Sequence, residues 1–186
     1  MTSQTPHIAE AAVEESPAGR RPRGDGWYVV NATDAVWREA PGWGRFAELE
    51  PGDARFPQFG INIHVLEPGE VSTRYHGENA QEDFLVLQGE CLAIVEGEER
   101  PLRAWDFLHC PAWTRHAFVG AGDGPCAILM VGARGIGAEE CVYPADPVAA
   151  RHGTSVERDT WSVAEAYAGT PDHVDAPYAP GTLPGA

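Results

Sequence analysis

Between Gly60 and Arg134 the chain is a succession of short apolar runs, each closed by glycine, proline or a polar turn. GINIHVLEPG, EDFLVLQGE, CLAIVEGEERPL, WDFLHCP, RHAFVG and PCAILMVGAR follow one another at a spacing of roughly ten residues. That rhythm indicates an all-β sandwich or barrel. The 21 glycines and 16 prolines fit turns between strands better than long helices. In GINIHVLEPG, Ile61, Ile63 and Val65 share one face, and Asn62 and His64 share the other. VSTRYHGE reads as a further strand. CLAIVEGEERPL reads as a hairpin turning near Glu96–Glu99, with Gly97 at the tip.

The flanks differ in character. At 186 residues the chain reads as one domain. Residues 1–25 hold hardly a large apolar side chain and are expected to be disordered. Order is expected from Trp27, with WYVVN as the first strand. ATDAVWREAPGWGRFAEL is expected to be a turn of helix and a loop carrying Trp37, Trp43 and Phe46 onto the core. The barrel should therefore occupy 26–134 and a C-terminal extension 135–186. In that extension DPVAARHG and DTWSVAEAYAG have helical spacing, with Asp146 and Asp159 as N-cap candidates. From Thr170 the chain is rich in proline and glycine, and is expected to be extended or disordered, or laid across a neighbouring subunit.

The formal charge of −15 argues against nucleic acid as a partner and gives no reason to expect an anionic membrane. No apolar run reaches the length of a membrane span. The N-terminus lacks the basic start and apolar core of a secretory signal. Cys91, Cys110, Cys126 and Cys141 have no CxxC spacing and read as reduced core residues of a cytoplasmic protein. Cys110, near His116, is the first candidate if a thiol ligand exists.

The chemistry lies in PGEVSTRYHGENAQEDFLVLQGE, Pro68 to Glu90, taken with His116. On a strand His76 and Glu78 project to the same side. Imidazole and carboxylate suit Zn, Fe, Mn or Ni. A carboxylate facing a barrel interior is costly unless it is paired or bound to a cation. Candidate ligands are His76, Glu82 and His116, with Glu78 as a fourth. Whether Glu78 ligates directly is left open.

The spacing of these residues resembles the two motifs of the cupin superfamily. His76, Glu82 and Gly89 fall on the first motif, with Glu78 where its second histidine stands and Gly69 one residue further out than its first glycine. Pro111 and His116 fit the second, where Trp105 and Trp113 replace glycines, Gly120 replaces asparagine, and Asp106 fits the acidic position. The resemblance implies a cupin jelly-roll barrel with short C-terminal helices. It also implies one divalent transition metal in the barrel mouth. His64, Gln81, Trp113 and Phe118 are candidates for a surrounding substrate pocket, Tyr75 should face away, and Arg74 and Arg115 could hold a carboxylate. The expected function is a metal-dependent enzyme acting on a small oxygenated metabolite, with dioxygenase chemistry ahead of isomerase or lyase chemistry. The alternatives are a non-catalytic binding module or a metal-free isomerase or epimerase. A homodimer, paired through WYVVN and the C-terminal arm, and a small-molecule ligand are the expected partners.

Overall fold

The computed structural model describes residues 7–134, 137 and 140–186. In chain order the elements are β1 (Ala12–Ser16), β2 (Gly19–Arg23), β3 (Trp37–Glu39), β4 (Arg45–Ala47), β5 (Phe59–Leu66), β6 (Gly77–Glu78), β7 (Glu82–Gln88), β8 (Glu90–Val95), β9 (Glu98–Arg103), β10 (Phe107–Cys110), β11 (His116–Ala121), β12 (Cys126–Ala133) and β13 (Cys141–Val142), then α1 (Pro147–Arg151), α2 (Val163–Ala166) and β14 (Val174–Ala176).

Two antiparallel sheets form the jelly-roll barrel. One runs β10-β7-β12-β5-β4-β3-β14 and the other β11-β8-β9. The stretch from Val71 to His76 lies beside β11, bridged by the pairs Val71–Val119 and His76–His116. It is an irregular margin of the smaller sheet rather than the regular strand expected of VSTRYHGE.

Alternation sorts the side chains. Leu66, Phe84, Val86, Ala93, Phe118 and Ile128 fill the space between the sheets. Their neighbours point outward, and the C-terminal extension covers many of them. Ala117, Val119 and Ile94 lie in one cluster with Ala149 of α1 and Tyr75. Val65 and Ala127 lie in another with Trp37 and Leu183. Among the described residues, β11 is therefore buried on both faces for most of its length, as a strand sandwiched between layers must be.

The hairpin at Gly97 forms as expected. Val95 faces Glu98, and Glu96 and Gly97 both have positive φ, the two-residue turn that matches strand twist. Asp146 caps α1 by accepting from the Val148 and Ala149 amides. The cap of α2 is Ser162, not Asp159, which instead accepts from the Ala145 amide.

Three expectations for the flanks are corrected. Residues 12–23 form the β1–β2 hairpin rather than disordered chain. Charge pairing takes the place of apolar burial there: Glu14 binds Arg23 at 2.8 Å, and Arg21 binds Glu48 at 2.6 Å. The first residues of that expectation, 1–6, lie outside the described residues. WYVVN is not a strand; Trp27 makes an isolated bridge to Glu10, and the Tyr28 hydroxyl donates to the Leu49 carbonyl at 2.6 Å. The segment from Ala32 to Leu49 carries the β3–β4 hairpin instead of a helical turn. Trp37 and Trp43 are buried as expected. The tail beyond Thr170 is extended, with β14 pairing with β3.

Trp105 and Trp113 have φ of +76° and +71°. Each is the third residue of a four-residue turn, closed by Asp106 N donating to Arg103 O at 3.0 Å and by Thr114 N donating to Pro111 O at 3.1 Å. A left-handed residue at that position is the setting in which glycine is favoured. For an L-residue it costs about 1–2 kcal/mol. The ring of Trp105 is 74 % exposed and gains little in return. Trp105→Gly should therefore raise stability by about 1 kcal/mol, after allowing for the freer unfolded chain. Urea unfolding tests this; an unchanged or lower midpoint would mean that the ring's contacts outweigh the strain.

Candidate metal centre and its cavity

A cavity of about 270 Å³ opens between the sheets at the end where β7 begins and β12 ends. Strand parity decides what reaches it. Glu82 begins β7 and faces Gly132 of β12, and Asn62 of β5 faces Met130. With no side chain on Gly60 or Gly132, this end of the barrel stays open where the other end is filled.

His76 and His116 exchange both backbone hydrogen bonds, at 3.1 and 2.8 Å, so their rings lie side by side with centroids 4.9 Å apart. Each ring is locked in the same way. Nδ1 of His76 lies 2.8 Å from the Arg74 carbonyl, and Nδ1 of His116 lies 3.0 Å from the Thr114 carbonyl. A carbonyl can only accept, so Nδ1 carries the proton and Nε2 the lone pair. That is the orientation a metal-ligating imidazole needs. His116 Nε2 stands 3.2 Å from Glu82 Oε2. One ligand atom from each of His76, Glu82 and His116 lies within 4.8 Å of the others.

The electrostatics follow from enclosure. Burial first, and the neighbouring His76 second, push His116 down to about 3. Burial also lowers His76, partly offset by its bond to the Arg74 carbonyl. Burial, then the charge of Glu78, pushes Glu82 up to about 8. Two neutral imidazoles thus present lone pairs beside a carboxyl group that resists ionisation. Without an ion, the Glu82 carboxyl keeps its proton and donates it to the lone pair on Nε2 of His116. A divalent cation can displace that proton, and three convergent donor atoms fit one.

Glu78 lines the same cavity from β6, outside the three converging atoms. A Cβ added at Gly132 would be 3.8 Å from an oxygen of Glu78 and 3.8 Å from one of Glu82, so the two carboxylates flank that glycine. Of the four pocket candidates, His64 and Phe118 line the cavity. Phe118 packs on Phe84 at 4.7 Å, and Phe84 lies 5.0 Å from the His116 ring. Gln81 and Trp113 do not line it. Gln81 is exposed and donates to Asp83. Trp113 is 42 % exposed, turned outward by its left-handed backbone, and meets Trp161 edge-on at 5.8 Å.

Other polar residues near the two motifs find structural partners. Tyr75 faces away into the core, its hydroxyl accepting from the Gly97 amide. Arg115 pairs with Glu96. His109 pairs with Asp83 on the exposed side of β10. Cys110 packs in the core, where burial pushes its thiol up to about 12. Arg74 ties the C-terminal extension down. It donates to the carbonyls of Ala166, Gly153 and Ser155 at 3.0 to 3.2 Å and lies over the Trp43 ring. Beside it, the Tyr75 amide donates to Thr154 O at 2.8 Å, and the Thr154 hydroxyl donates to Thr73 O. Tyr143, whose ring lies 5.9 Å from that of His76, was not legible from spacing because it lies far along the chain from that motif.

Comparison with known proteins bears on the fold and the family. Residues 62–132 match the family model described as a cupin domain. A gentisate 1,2-dioxygenase from a Haloferax species is 29 % identical over 121 residues, covering 56 % of this chain and 33 % of its own length. A 5-nitrosalicylic acid 1,2-dioxygenase from a Bradyrhizobium species is 28 % identical over 75 residues, 40 % of this chain and 36 % of its own. The chain thus spans about a third of the length of either relative. Among solved structures, the polyketide cyclase RemF of Streptomyces resistomycificus superposes with a TM-score of 0.52 at 18 % identity, covering 61 % of this chain and 83 % of its own. That likeness concerns the fold.

Proposed function

This chain is a member of the cupin superfamily, and from that premise we propose that it is a metal-dependent enzyme acting on a small oxygenated molecule, with dioxygenase chemistry favoured. The observation that carries this reading is the convergence of three buried or half-buried ligand atoms, one each from His76, Glu82 and His116, within 4.8 Å of one another. His76, Glu82 and His116 would hold the ion. Two imidazoles and one carboxylate leave coordination positions open, the donor set of non-haem iron sites. Bound there, a divalent ion such as Fe, Mn, Zn or Ni would supply Lewis acidity and, for Fe or Mn, redox capacity.

The protein's own groups do the rest. The carbonyls of Arg74 and Thr114 hold both imidazoles in the ligating tautomer. Phe84 and Phe118 keep water from one side of the cluster. Glu78 adds negative charge at its margin. The relatives' names support an aromatic acid as substrate class, since both are named as dioxygenases of hydroxylated benzoates.

Metal content of untagged protein, followed by oxygen uptake with gentisate and salicylate, tests the proposal. Stoichiometric iron or manganese with oxygen uptake supports it. Stoichiometric metal without uptake, across aromatic and aliphatic hydroxy acids, would favour a non-catalytic binding module. Absence of metal would overturn the reading.

We further propose that two copies pair through the outer face of the larger sheet. Phe59, Ile61, Leu85, Phe107, Leu129 and Val131 are incompletely buried there, and an apolar sheet face is costly to leave in water. Light scattering should give about twice the 20.0 kDa chain mass; the monomer mass at micromolar concentration would sink this.

A further inference from the structure

Two polar side chains in the cavity take no part in the candidate metal cluster. Asn62 and His64 lie two residues apart on the inward face of β5. Among the described residues, Oδ1 of Asn62 and Nδ1 of His64 are both enclosed and without a hydrogen-bond partner. His64 is 8 % exposed, and its ring lies nearly flat on Phe46, with centroids 5.2 Å apart. Buried polar groups without partners are uncommon and call for an explanation.

The enclosed atoms show what remains to face the cavity. Oδ1 is the acceptor of Asn62, so the group left to reach the cavity is its NH2. Nδ1 of His64 is shut in, so the edge left to the cavity carries Nε2. An orphaned buried N–H is rarer than an under-satisfied acceptor, which places the lone pair on Nδ1 and the proton on Nε2. Burial, with His173 beyond Phe46, pushes His64 down to about 4, so the ring is a neutral donor at physiological pH. Both residues therefore offer N–H groups from one strand face.

We propose that Asn62 and His64 form the oxygen-binding wall of the cavity and hold the carboxylate of a small hydroxy acid. The proposal rests on the reading of this cavity as a substrate site and names the group that orients the substrate. A carboxylate suits two neutral donors and a volume of about 270 Å³. A phosphate dianion does not. Two cations line the cavity: Arg134 is already paired with Glu50 at 2.6 Å and Arg55 is exposed to solvent, while Glu78 and Glu82 add negative charge.

The test uses salicylate as probe, with full-length protein as purified and again after metal removal, followed by calorimetry. Asn62→Leu and His64→Phe keep the volume and, for phenylalanine, the stacking on Phe46. Each should weaken salicylate at least tenfold while leaving metal content and unfolding midpoint unchanged. His64→Gln, which returns an amide nitrogen near the position of Nε2, should restore most of the affinity. 2-Hydroxybenzyl alcohol, which lacks the carboxylate, should bind at least tenfold more weakly than salicylate. The proposal is overturned if wild-type protein does not bind salicylate, if both variants bind it as wild type does, if the alcohol binds equally well, or if inorganic phosphate binds more tightly. Loss of metal binding in wild-type protein would refute the functional reading alone, because the metal-stripped arm reads the wall by itself.

Discussion

Changing His116 to alanine is expected to leave the purified protein without stoichiometric metal, and His76→Ala should do the same. Each removes one of the three donor atoms that converge among the described residues. Losing even a group that supports a ligand typically weakens a metal site 10- to 100-fold, and losing a ligand should exceed that, with affinity falling on the order of 100-fold or more. Glu78→Gln should cost far less, about tenfold, because Glu78 acts on the cluster by its charge from outside the convergence. The ordering decides the assignment. If Glu78→Gln were as damaging as His116→Ala, Glu78 would be a direct ligand. If both histidine variants kept full metal content, the cluster would not be the binding site. Elemental analysis together with a competition titration reads all three.

Without metal, the protein should become less stable as pH rises from 6.5 to 8, and Glu82→Gln should abolish that slope. Glu82 titrates near 8 in the folded chain against an ordinary value of 4.5. A raised carboxyl gives stability that is complete below 4.5 and is lost as pH climbs to about 8. The buried histidines act in the opposite sense. His64 at about 4 and His116 at about 3 must stay neutral to fold, so their contribution is present above 6.5 and fades on acidification. Above 6.5 the Glu82 slope therefore stands alone. One and a half pH units correspond to about 2 kcal/mol. Denaturant unfolding of metal-stripped protein at several pH values measures it. A flat profile in wild type would mean that Glu82 is ionised in the fold, with a compensating charge nearby. Metal binding at pH 7 should also release about one proton, from Glu82 and not from the histidines. Calorimetry in buffers of different ionisation enthalpy detects this.

The parts of this fold that follow from local parity could be read from the sequence. β5 alternates Asn62 and His64 against Ile61, Ile63 and Val65, and the structure keeps that division. Glu96–Gly97 declares its turn through the chemistry of positive φ. His76, Glu82 and His116 were legible because each sits at the margin of a strand, where spacing alone decides which way it points. What could not be read depends on distant partners. The β1–β2 hairpin has almost no apolar content and is built on pairs such as Arg23 with Glu14, and Arg21 with Glu48 at 2.6 Å. WYVVN has strand composition but no strand waiting beside it. Trp113 looked like a pocket wall because of its place in a motif, yet the turn it occupies sends its side chain away from the cavity. Gln81, adjacent in sequence to Glu82, falls on the wrong side of the same strand entrance.

The attachments of Arg74 and Tyr75 bear on where this protein can be cut. The matched cupin stretch ends at residue 132, but the backbone that aims His76 is fastened by carbonyls of Gly153, Thr154, Ser155 and Ala166. The chain's catalogue of ligands and the scaffold that aims one of them thus belong to different stretches. A cassette trimmed to the barrel and grafted elsewhere would carry all three donor residues yet lose the anchor of the first. The transferable unit of this site reaches at least to Ala166, and a design that borrows the cavity must borrow that anchor with it.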